Sequence, residues 1–142
     1  MTLEIANQLK EIENVQARLS DYLKDLPLDE YDRKKIFIAV DEILSNIINY
    51  GFIDNKHHTI HIRFENTETG MNLEFIDDGI YFDPIHFVHH QLPKIQLDDE
   101  KNGGLGLHLV YRLMNHMTYD RIENKNKLIL GLKYNYNEID KK

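Results

Sequence analysis

The sequence contains no cysteine. Disulfides and thiolate metal sites are therefore excluded, and the chain suits a reducing compartment without requiring one. Positive charge is also scarce: 17 Lys and Arg stand against 24 Asp and Glu, a formal net charge of −7. Generic nucleic-acid binding usually needs a basic surface that displaces phosphate counterions, so direct nucleic-acid binding is not expected. An acidic chain can still hold a nucleotide, because a divalent ion and helix-terminal amides offset phosphate charge locally. No stretch approaches the roughly 18 consecutive apolar residues of a membrane span. The N-terminal MTLEIANQLKEIENV has no basic region followed by an apolar run, so it does not read as a signal peptide. A cytoplasmic location away from membranes is the expectation.

Proline is sparse as well, and Pro27, Pro84 and Pro93 act as punctuation. There is no internal repeat or low-complexity linker. With 142 residues, 42 % apolar and 29 % charged, the chain is expected to form one domain, 1–142, with a real core. Residues 2–6 suit a short strand. Leu9, Ile12, Val15 or Gln16, Leu19, Leu23 and Leu26 recur at helical spacing, with Asn7 as a cap and Pro27 as the stop. This stripe reads as core, or alternatively as a face for a homodimer or another partner. Asp29 caps a second helix to about Tyr50, with the stripe Ile36, Val40, Ile43, Ile47 and Gly51 closing its end. Strands are expected at 59–65 and 71–76. Residues 79–103 have no steady period and read as a long functional loop. A helix over 104–117, with Leu105, Leu109, Leu113 and Met117 as its stripe, precedes strands near 118–123 and 127–136, joined by Asn124-Lys125-Asn126. The order implies an α+β fold: a mixed, mostly antiparallel sheet with helices packed on one face.

Three constellations can carry chemistry. Glu42 and Asn46 are four apart and share a helix face beside the apolar stripe. A carboxamide oxygen there can ligate a hard cation, and the carboxylate can take a proton from a hydroxyl or water. The bland alternative is a solvated polar pair. Next, the apolar strand Phe75-Ile76 ends in Asp77-Asp78-Gly79. A strand-end carboxylate can accept from an amino group, and Gly79 would allow close backbone approach or positive φ; a plain Asp-Gly turn is the alternative. Last, Gly103-Gly104-Leu105-Gly106-Leu107 opens a helix, where exposed amides and the dipole favour an anion. It is neither a Walker loop nor a dinucleotide fingerprint, and a flexible hinge would look similar.

In order and spacing together, an E-x-x-x-N helix, a D-x-G strand end, a variable loop and a G-G-x-G helix start resemble the ATPase domain shared by gyrase, histidine kinases and MutL. The segments DEILSNIINYGF, DDGIYFDP and GGLGLHLVYRLMNHMTYDR are most similar to the anti-sigma-factor serine/threonine kinase group of that superfamily. The resemblance covers roughly residues 2–135. It implies the two-layer α/β sandwich of the histidine-kinase-like (Bergerat) ATPase fold, with ATP and Mg2+ as cofactors. By resemblance, Asn46 would ligate magnesium and Glu42 would be the general base. Asp77 would bind the adenine amino group, Gly79 would shape the adenine pocket, and Asn49 would line the same pocket. Gly103, Gly104, Leu105, Gly106 and Leu107 would hold the phosphates, and residues 84–103 would form a lid.

Departures from the family pattern are specific. Tyr81 replaces the second glycine of the common D-x-G-x-G, although the related F-D-P ending is present. A Gly-Thr near the last strands is absent, and Asn126-Lys127 occupies that region. Lys94 and Lys101 are the candidates for a basic lid residue. Among the eight histidines, His57, His58 and His61, and His86, His89 and His90, have tolerable ligand spacings but read as surface residues. The resemblance implies a protein kinase acting on a STAS-type anti-sigma-factor antagonist and binding a sigma factor. A non-catalytic ATP-dependent switch that sequesters a regulatory partner is the second expectation.

Overall fold

Alternation of buried and exposed residues builds the sheet. The computed structural model describes residues 1–91 and 104–135. Its elements are β1 (Thr2–Ala6), α1 (Glu11–Leu23), α2 (Glu30–Tyr50), β2 (Thr59–Asn66), β3 (Gly70–Asp77), α3 (Pro84–His90), α4 (Gly104–Leu113), β4 (His116–Ile122) and β5 (Lys125–Lys133). The strands form one sheet in the order β1-β2-β3-β5-β4. Every pairing is antiparallel, so the expected mixed sheet is antiparallel throughout. Ile62, Phe75 and Leu128 are register partners across three strands, as are Phe64, Leu73 and Leu130. All six are buried. The opposite face carries charge, with His61 paired to Glu4 and Lys127 to Glu74. One face is thus core and the other solvent, as the period of two requires.

Helix α2 supplies the second layer. Asp29 caps it, its side chain accepting from the Asp32 N–H at 2.7 Å. Ile36, Val40, Ile43, Leu44 and Ile47 are buried, each contributing roughly 1.5–3 kcal/mol relative to exposure. Gly51 closes the helix but with a right-handed φ of −81°, its N–H donating to the Ile47 carbonyl. Arg33 finishes α1 from outside, donating to the carbonyls of Leu23 and Leu26.

Four local expectations are corrected. Asn7 does not cap α1, whose N-cap is Lys10; its carboxamide instead binds Lys56 and His58 in the loop before β2. Part of the expected loop, Pro84–His90, is helix α3, capped by the Asp83 carboxylate on the N–H groups of Ile85 and His86. The stripe assigned to α4 lies on the wrong side: Leu105 and Leu109 are exposed, whereas Leu107, Val110 and Met114 are buried. The segment is apolar nearly all round, so periodicity could not choose its face. Met117 belongs to β4, not to that helix.

The last hairpin turns at Glu123 and Asn124, both with positive φ, the geometry of a two-residue turn that matches strand twist. Asn126 therefore lies inside β5, opposite Asp77.

Candidate functional site

A cavity of about 330 Å³ opens between the helical layer and the ends of β3, β4 and β5. Its walls are largely apolar, from Ile43 and Ile47 of α2, Ile80, Phe82 and Phe87 after β3, Leu107 of α4, and Leu128 of β5. Polar groups enter at a few points: Asn46, Asp77, Tyr119 and Asn126. The volume falls in the lower part of the range for small-molecule clefts, roughly 300–1,000 Å³.

Asp77 reaches the cavity because it ends β3 on the same pleat side as Phe75. Its Oδ1 accepts from the Gly79 N–H at 2.9 Å and from Asn126 Nδ2 at 3.0 Å. No described residue donates to its Oδ2. Burial pushes the Asp77 carboxyl above its ordinary range, opposed by the bonds from Asn126 and Gly79. Asn126 is itself anchored: Nδ2 also donates to the Ile80 carbonyl, while Oδ1 accepts from Tyr119 Oη and Arg121 Nη1. Arg121 also donates to the Gly79 carbonyl at 2.9 Å. In the sequence Asn126 stands where the family's Gly-Thr is absent, and its expected place in a turn gives no sign of the bond to Asp77.

Gly79 is required by close approach. A Cβ there would come within 2.4 Å of the Gly51 carbonyl oxygen, which already accepts from the Ile80 N–H. Its φ is not positive. Tyr81 does not fill the cavity: it is 64 % exposed and meets Tyr119 edge-on.

On α2, Asn46 lines the cavity and its carboxamide bonds to no described residue. Glu42, one turn earlier, lies instead against Gly106, where a Cβ would come within 2.0 Å of Oε2. Burial, then the neighbouring Asp41, raises the Glu42 carboxyl above its usual 4.5. A carboxamide with a free oxygen and a nearby carboxylate are hard donors that suit magnesium, which takes few protein ligands. Asn49 is exposed and does not line the cavity; Tyr50 does.

Gly104 and Leu107 line the opening from the first turn of α4, whose leading N–H groups have no partner within the helix. Leu105 is half-exposed, and neither it nor Gly106 lines the cavity. Gly103, Lys94, Lys101 and the acidic run 98–100 lie outside the described residues. No cationic side chain is among the described residues lining the cavity.

Most of the histidines singled out by spacing take local partners. His58 lies between Asp54 and Asp78, at 2.8 and 2.9 Å, and stacks on Phe52. His86 and His90 stack on each other, and His89 meets Tyr111 Oη. No cluster of three metal-binding side chains occurs among the described residues. No helix among them is long and apolar enough to cross a membrane.

The family model of the histidine kinase-like ATPase domain matches residues 5–132. The serine/threonine-protein kinase BtrW of Bordetella bronchiseptica is 31 % identical over 98 residues, covering 69 % of this chain and 68 % of that protein. A crystal structure of the RsbU and RsbW domains of a Mycobacterium tuberculosis protein superposes with a TM-score of 0.61 at 15 % identity, over 94 % of this chain. This chain spans only 32 % of that two-domain chain. The catalytic domain of histidine kinase ThkA, nucleotide-free, gives a TM-score of 0.50 at 17 % identity, over 94 % of this chain and 97 % of that one. At these identities the two structures support the fold alone.

Proposed function

The chain belongs to the histidine kinase-like ATPase domain family, and we propose that it binds ATP with magnesium and phosphorylates a serine or threonine of a regulatory protein. One observation carries the reading. The cavity joins a carboxylate at a strand end, a free carboxamide on α2 and the glycine-opened first turn of α4. An adenine ring fits between apolar walls, with its amino group on Asp77. The phosphates would then lie toward the amides of Gly104–Leu107, where the helix dipole favours negative charge.

Asn46 would hold magnesium, which when bound supplies charge neutralisation at the phosphates. Glu42 would take the proton of the attacking hydroxyl, and its raised affinity for a proton suits that role. Phosphoryl transfer asks mostly for positioning and charge stabilisation. The name of the BtrW kinase supports the reaction class. A STAS-type anti-sigma-factor antagonist is the proposed substrate, and a sigma factor the proposed sequestered partner.

A second reading, an ATP-dependent switch without catalysis, is favoured by the position of Glu42 over Gly106 rather than on the cavity wall. Incubating the chain with γ-labelled ATP, magnesium and candidate antagonist proteins separates the two. Label on an antagonist serine or threonine is the expected result. Tight nucleotide binding with no phosphorylated antagonist would sink the kinase reading and leave the switch.

A further inference from the structure

We infer that Asn126 makes the site selective for a 6-aminopurine, by occupying one oxygen of Asp77 and leaving the other as a single acceptor. The inference rests on the proposed nucleotide reading and adds how the base is chosen.

A carboxylate oxygen offers about two lone-pair positions. Asp77 Oδ1 already accepts two bonds, from Gly79 N–H and Asn126 Nδ2. It is full. Oδ2 receives no donor from any described residue. The base therefore meets one open oxygen, not two. Adenine presents a single exocyclic amino donor with a ring acceptor beside it. Guanine presents two adjacent donors, N1–H and the 2-amino group, which a carboxylate reads with both oxygens. The two lone pairs of Oδ2 diverge, whereas the guanine donors are parallel. With Oδ1 closed, Oδ2 therefore takes only one of them in good geometry. The other is left poorly paired in an apolar cavity, which is what discriminates most strongly.

Asn126 cannot easily turn away. It is 7 % exposed and sits opposite Asp77 in the β3–β5 register. Its orientation follows from its partners. Flipping the amide would face its oxygen toward Asp77 and the Ile80 carbonyl. The same flip would bring its NH2 against the Arg121 guanidinium. Asn126 thus acts through Asp77, as a positioning residue. Its bond also opposes the effect of burial on the Asp77 carboxyl.

The first test uses the unaltered full chain, titrated calorimetrically with ADP, GDP and IDP. ADP is expected to bind at least about tenfold tighter than GDP. GDP should bind no better than IDP, since its extra amino group finds no open acceptor. A GDP affinity about tenfold above that of IDP would overturn the inference and leave nucleotide binding intact. Binding of none of the three would remove the nucleotide reading and this inference with it.

The second test is Asn126→Ala. The ADP-to-GDP affinity ratio should fall about tenfold. The pH below which ADP binding weakens should also move upward, because Asp77 loses a donor to its charged form. Equal losses for both nucleotides with an unmoved pH profile would reduce Asn126 to a packing residue. Asn126→Ser, whose hydroxyl can still donate, should recover part of the ratio. If neither variant folds, the GDP and IDP comparison on the unaltered chain decides.

Discussion

The carboxylate of Glu42 rests on Gly106, so closely that a Cβ on residue 106 would come within 2.0 Å of Oε2. This contact joins α2 to α4 at the residue proposed as the base. The far end of a glutamate can swing aside, so Gly106→Ala should change stability by no more than about 1 kcal/mol. Phosphoryl transfer should fall by about tenfold or more as the carboxylate is displaced. Urea melts and the labelled-transfer assay read the two effects separately. Gly79→Ala is the contrast, since its Cβ would meet the backbone oxygen of Gly51 at 2.4 Å. Backbone yields less readily, and a loss of roughly 1–3 kcal/mol is expected in the same melts.

Glu42→Gln should lower transfer by about a hundredfold or more, with ATP affinity little changed. A variant that transfers at the original rate would remove Glu42 from the role of base. The pH response has a definite sign. The folded-state carboxyl titrates above its usual value, so its stabilising contribution is present at low pH and lost as pH rises through the folded pKa. Melting temperatures should therefore favour the Gln variant at pH 8, and the advantage should vanish near pH 4.

Asp77→Asn should weaken ADP binding by roughly tenfold to a hundredfold. The new side chain can keep its oxygen on the donors of Gly79 and Asn126. Its NH2 then points where the base amino group would sit, donor against donor. Calorimetry at neutral pH checks this, and undiminished affinity would overturn the adenine assignment.

His58 offers a pH test away from the proposed chemistry. Its two ring nitrogens both face carboxylates, and only the imidazolium can donate to both. The bond to Asp54 foremost, then Asp78, raises its pKa above the usual 6.5 despite some desolvation. The stabilisation is complete below the unfolded value and disappears as pH rises through the folded one. The melting-temperature gap between the original chain and His58→Ala should be widest below pH 6.5 and narrow by pH 9. A gap that stays constant would mean that packing on Phe52, not charge, holds the loop.

Much of the architecture was legible because it rests on period. The strand alternation around Phe64 and Phe75, and the α2 stripe with its Asp29 cap, are strong local signals. Helix α3 is legible too, in the Asp83-Pro84 pair that caps and opens it, but Pro84 taken alone reads equally well as loop punctuation. The face of α4 was not, because an almost wholly apolar segment fits either register and tertiary contact with α2 decides.

For the site, Asn46 stands out by its spacing from Glu42 and Asp77 as a strand-end carboxylate, and both line the cavity. Asn49 was included because it follows Asn46 by three, yet Tyr50 lines the wall instead. Asn126 is named in the sequence only as standing where the family's Gly-Thr is absent, and a turn placed over Asn124–Asn126 hides its pairing with Asp77. Positive φ at Glu123 and Asn124 makes the turn shorter than the residue types suggested.

The bond between Asp77 and Asn126 spans 49 positions of chain. Its two halves belong to strands joined only after α3 and α4 have been traversed. Closing so long a loop is entropically slow, and such pairings tend to complete late on the way to the native state. A ligand that bonds Asp77 therefore steadies, through it, a contact expected to form after the folding transition state. Its effect belongs to the lifetime of the folded molecule: bound nucleotide slows unfolding and leaves the refolding rate almost unchanged.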